Sequence, residues 1–123
     1  SENMSSDHYR LQSLNRLIKV SDLDEADYNH LLKAGSSMNS DHYLKDFILQ
    51  LSRVKQPSEN LLVKMLKLSG ENINSDNYLT DVLVNLARNV NSSGSTAKAA
   101  YKEAAKNIGS EHYYGRAMKA LND

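Results

Sequence analysis

The sequence predicts an all-α domain, a right-handed stack of antiparallel helical hairpins with about seven helices, and three observations carry that expectation. A six-residue motif recurs four times along the chain. Helical spacing of apolar residues follows each copy. No stretch alternates apolar and polar residues for long enough to compete as a strand.

The recurring motif reads Met/Ile-x-Ser-Asp/Glu-His/Asn-Tyr. Ser6-Asp7-His8-Tyr9 returns as Ser40-Asp41-His42-Tyr43, Ser75-Asp76-Asn77-Tyr78 and Ser110-Glu111-His112-Tyr113, in steps of 34, 35 and 35 residues. Met4, Met38, Ile73 and Ile108 stand two positions before the serines. This divides the single domain, residues 1–123, into units at about 4–37, 38–72, 73–107 and 108–123. Serine is a favoured N-cap, and the acid after it falls in a first turn, where the helix dipole favours negative charge.

Each hexad opens a helix whose apolar stripe has a period near 3.6. The stripes are Tyr9, Leu14, Leu17 and Ile18; Tyr43, Phe47, Ile48 and Leu51; Tyr78, Val82, Leu83 and Leu86; and Tyr113, Ala117, Met118 and Leu121. A second helix follows each of the first three. The first of these is expected from about Asp22, with Asp22 and Glu25 at capping-box spacing, through Tyr28, Leu31 and Leu32 to a glycine stop at Gly35. The next enters at Pro57-Ser58-Glu59, carries Leu61, Leu62, Met65 and Leu66, and stops near Gly70. The third follows Ser92-Ser93-Gly94-Ser95 with Ala97, Ala100, Tyr101, Ala104 and Ala105, and its small side chains imply a closer helix approach. One hairpin cannot bury its own apolar face, so successive units are expected to stack.

The hexad followed by a leucine-rich helix resembles the degenerate HEAT-like repeats of bacterial proteins, including the tails of some BlaR-type membrane metallopeptidase regulators. The resemblance spans residues 4–9, 38–43, 73–78 and 108–113 and implies a repeat scaffold without an activity. The metallopeptidase motif His-Glu-x-x-His is absent, so no catalytic residue carries over. Tetratricopeptide repeats have a similar period, but this chain lacks tryptophan and the rest of their pattern.

Fifteen basic residues balance fifteen acidic ones, which removes a global field for nucleic acid or an anionic membrane surface. Cysteine is absent, and with it disulfides and thiolate metal sites. No run reaches the roughly 18 apolar residues of a membrane span, so this reads as a soluble segment of undefined compartment, with no membrane contact of its own. The start at Ser1-Glu2-Asn3, without methionine, suggests part of a longer protein.

The expected site is a surface. His8, His42 and His112 share one position, but neighbouring helices stand about 10 Å apart, too far for a common zinc ion. They read as first-turn hydrogen-bonding residues. The hexad acids are explained by the helix dipole, and Asp24, Glu25 and Asp27 by a solvated helix start. No nucleophile elbow or phosphate loop occurs. No catalytic, cofactor or metal residue is therefore expected. Tyr9, Tyr43, Tyr78 and Tyr113 read as residues buried between units, and Tyr114 as exposed at the last helix.

Residues 1–62 hold seven basic and nine acidic residues, against eight and six in 63–123, so the halves carry −2 and +2. Lys64 and Lys67, then Lys98, Lys102 and Lys106 at four-residue spacing, form a lysine stripe on the second helices. With Tyr114 and Arg116 at the open end, these are the candidate partner-binding residues. The functional expectation is a non-enzymatic scaffold for a protein or peptide. Its alternative is a structural spacer or oligomerisation domain of a larger bacterial regulator, self-associating through its ends. An enzyme assembled across units would require a pocket of converging polar groups.

Overall fold

Seven helical segments and no strand occur among the residues described by the computed structural model, which are 7–14, 16, 24–54 and 56–122. In order they are α1 (7–14), α2 (Glu25–Gly35), α3 (Asp41–Val54), α4 (Glu59–Asn72), α5 (Asp76–Asn91), α6 (Ser95–Ala105) and α7 (Glu111–Ala120). The all-α expectation therefore holds. Leu17 and Ile18 of the first stripe, and the proposed start at Asp22, lie outside the described residues.

The hexad serines cap as their chemistry dictates. Ser40, Ser75 and Ser110 accept from the backbone N–H of Tyr43, Tyr78 and Tyr113 at 3.4, 3.2 and 3.3 Å. Ser58 does the same for Leu61 at 3.2 Å. Other boundaries differ from expectation. The capping box of α2 is made by Asp24 and Asp27, each side chain accepting from the other's backbone N–H. Those bonds, the backbone N–H of Asp27 first, hold the Asp24 carboxyl below its ordinary value.

The glycines act through size rather than backbone conformation. None of those described has a positive φ, so Gly35 does not close α2 as a left-handed cap. It is the last helical residue, and the Phe47 ring occupies the place where a side chain would begin. Helix α4 runs through Gly70 to Asn72. A Cβ on Gly70 would stand 2.9 Å from the Ala104 Cα, so α4 and α6 meet almost backbone to backbone, as the alanines of α6 imply.

Packing separates the helices into two sets of neighbours. In one, α3 packs on α5 and α5 on α7; in the other, α2 packs on α4 and α4 on α6. Each helix from α2 to α7 also touches its chain neighbour, and one apolar cluster runs from Leu11 to Leu121. Met38, Ile73 and Ile108, the leading residues of three hexads, are all buried in it. At about 25 cal/mol per Å² of apolar surface, such burial supplies the main force holding the helices together.

The tyrosine expectation needs correction. Tyr43, Tyr78 and Tyr113 are half-buried, while Tyr9 is 70% exposed. The core position is the next residue: Leu44 and Leu79 are each 1% exposed, and Tyr114 occupies that place in α7 at 41%. One residue along a helix turns the side chain by about 100°, which puts the tyrosines on the flank of the buried stripe. Tyr114 is exposed as expected.

Candidate functional site

The hexad acids do more than favour their own helix dipoles. Asp7 Oδ2 accepts from the backbone N–H groups of Asn39 and Ser40 at 2.7 and 2.6 Å. Asp41 Oδ2 accepts from Asn74 and Ser75 at 2.9 and 2.8 Å, and the Asp76 carboxylate from Gly109 and Ser110 at 3.1 and 2.9 Å. Each carboxylate thus secures the entrance of the helix two further along the chain. Orphan N–H groups at a helix start are natural acceptor-seeking sites, and charged acceptors make the stronger bonds.

Two glutamates do comparable work in the other set of helices. Glu25 accepts from the Ser58 hydroxyl at 2.7 Å. Glu59 Oε2 accepts from the Gly94 and Ala97 N–H groups at 2.8 and 3.1 Å, supplying the cap that the Gly94 start of α6 lacks. Gly94 leaves room for it, since a Cβ there would stand 2.9 Å from Glu59 Oε2. All five carboxylates are thus engaged in joining one helix to another.

The histidines also act differently from the expected first-turn bonding. His8 lies against Tyr43 and His42 against Tyr78, with ring centroids 5.6 and 5.7 Å apart. The Lys45 ammonium sits 4.9 Å over the Tyr78 ring, a cation–π arrangement. His42 Nε2 is 3.4 Å from Asp46 Oδ2. Among the described residues, no group of three or more His, Asp or Glu is arranged to hold a metal ion. None of the described helices is long and apolar enough to cross a membrane.

The predicted lysines do not form one uniform stripe. Lys64 donates to the Asn29 side-chain oxygen at 2.9 Å, which ties α4 to α2. Lys106 pairs with Glu103 at 2.9 Å, and that carboxylate raises the ammonium above its ordinary value. Lys98 and Lys102 are half-buried on α6, whereas Lys67 is exposed on α4. Tyr114 and Arg116 are both exposed on α7, away from α4.

Two grooves flank α4. The one toward α2, about 430 Å³, is lined by Asn29, Leu32, Lys33, Ser36, Lys64, Lys67, Leu68 and Glu71. The one toward α6, about 320 Å³, has an apolar floor of Val63, Leu66, Ala100 and Ala104, with Lys67, Glu71, Glu103 and Asn107 around it. Lys98, Lys102 and Lys106 line neither groove. Lys33 is a lining residue that charge spacing along one helix could not reveal, because α2 and α4 meet only through packing. No protein-family model, curated protein or solved structure matches the chain.

Proposed function

We propose that the chain is a non-enzymatic helical-repeat scaffold, a right-handed α-solenoid of stacked hairpins, that binds an acidic segment of a partner protein along α2, α4 and α6. The observation that carries this reading is the pair of grooves flanking α4, with apolar floors and lysines beside them. Hydrogen bonds between residues 32 to 34 apart support the repeat architecture: Asp7, Asp41 and Asp76 repeat one junction three times. A surface held by such bonds loses little conformational freedom when a partner docks. The HEAT-like resemblance of the hexads agrees with this reading by analogy of fold.

Fluorescence anisotropy with a labelled Leu-Glu-Glu repeat peptide tests the proposal. Binding should weaken between about 50 and 300 mM salt, as screening shortens the reach of the lysines. Undetectable binding at low salt would remove the acidic-partner reading.

A second reading, docking of another copy on α7, is favoured by Tyr114, 41% exposed at the position where Leu44 and Leu79 are buried. Sedimentation velocity of the wild type and of Tyr114→Glu/Arg116→Glu tests it. A monomeric wild type across the concentration range would eliminate it.

A further inference from the structure

Resting on the acidic-partner reading, we infer that the acidic segment seats in the α2–α4 groove, with Lys33, Lys64 and Lys67 as its recognition residues, rather than along the α6 lysines. The two grooves are built on the same register. Asn29, Leu32, Lys33 and Ser36 face one from α2, and Ala100, Glu103, Ala104 and Asn107 face the other from α6; each set follows the spacing i, i+3, i+4, i+7 of a single helix face. Helix α4 stands between them and gives Lys67 and Glu71 to both.

Their charge differs. The α2–α4 groove gathers three ammonium groups, Lys33, Lys64 and Lys67, against the single carboxylate of Glu71. The α4–α6 groove sets Lys67 against Glu71 and Glu103. Lys106 pairs with Glu103 and offsets its charge, which leaves Lys67 against Glu71 and the groove close to neutral. That difference in potential steers an anionic partner toward the first groove.

The floor decides what kind of anion fits. Leu32 and Leu68 line the groove together with the lysines, so the occupant that satisfies the whole groove combines acidic side chains with an apolar one. A peptide with leucine among glutamates does this. A nucleic acid backbone offers charge without the apolar side chain. The Lys64 bond to Asn29 restrains one ammonium at the groove wall, which reduces the rotamer freedom lost on binding.

The test compares variants against the fluorescein-labelled Leu-Glu-Glu repeat peptide, with circular dichroism confirming that each variant folds. Lys33→Glu/Lys64→Glu changes only the α2–α4 groove and should weaken binding about tenfold or more at low salt. Lys98→Glu/Lys102→Glu should change it by less than about twofold. Equal loss in both variants, or loss in the α6 variant alone, would overturn the groove assignment while leaving the acidic-partner reading intact. No binding by the wild type would remove both. Equal affinity for a Leu-Lys-Lys peptide, or tighter binding of a single-stranded oligonucleotide, would also overturn the assignment.

Discussion

The helices that begin at hexads and the helices between them are joined by the same chemistry used in different ways. Asp7, Asp41 and Asp76 each receive two consecutive backbone N–H groups from the helix entrance two elements on. On the other side, Glu25 receives a serine hydroxyl, while Glu59 receives N–H groups three residues apart. Matching junctions tie α1 to α3, α3 to α5 and α5 to α7. On the other side, α6 closes onto α4 at Gly70 and Ala104, while the groove between α2 and α4 is the larger of the two. The repeated motif therefore governs the regular side of the molecule, and the unrepeated residues shape the side on which the two grooves differ.

The largest expected effect separates two adjacent residues on the regular side. Leu79 is 1% exposed, so Leu79→Ala should cost about 2–5 kcal/mol through lost burial and the cavity left behind. Tyr78, on the flank with His42 and Lys45 against its ring, should cost about 1–2 kcal/mol as Tyr78→Ala. Urea unfolding of both variants measures the difference. Equal losses would mean that the recurring tyrosine, and not the leucine after it, holds the core.

A smaller effect bears directly on the two kinds of junction. Asp41→Ala strands the part-buried N–H of Ser75 and the exposed N–H of Asn74, and should cost about 1–3 kcal/mol. Glu59→Ala should cost about 1 kcal/mol, near the value of an ordinary N-cap, because the longer glutamate side chain gives up more rotamer freedom to reach donors of matching exposure. If Glu59→Ala proved the more costly of the two, the regular side would not be the more firmly joined.

Much of this fold was legible because capping and periodicity are local. The serine N-caps and the alanine approach of α6 follow from residues read within one turn or one helix. The second partner of Asp41 was not legible. An acid in a first turn is fully explained by its own helix dipole, so nothing local points to an N–H 33 residues away. The tyrosines misled for a related reason: recurrence marks a constrained position without saying which side of the stripe it occupies. Lys64, Lys67 and the other stripe residues were visible as spacing, but Lys33 joins two of them only once α2 packs on α4.

The smallest expected effect tests the link between the two sides. Tyr101 interrupts the alanines of α6, is fully buried, and donates its hydroxyl to the Ala117 carbonyl at 2.6 Å. That carbonyl lies in the last turn of α7, where backbone acceptors lack intrahelical donors. Tyr101→Phe should therefore cost about 0.5–1.5 kcal/mol at neutral pH, the net contribution of one hydrogen bond. Burial pushes the hydroxyl up to about 12 from its ordinary 10.0. The folded state thus binds this proton more tightly than the unfolded state does. Its contribution is complete below pH 10 and declines as pH rises from 10 towards 12. Thermal melts of the wild type and Tyr101→Phe across that range should converge as the wild type loses its advantage. Parallel curves, with a constant difference at every pH, would show that this hydroxyl's ionisation contributes nothing to alkaline sensitivity, whereas coincident curves would leave the link from α6 to α7 to the ring alone.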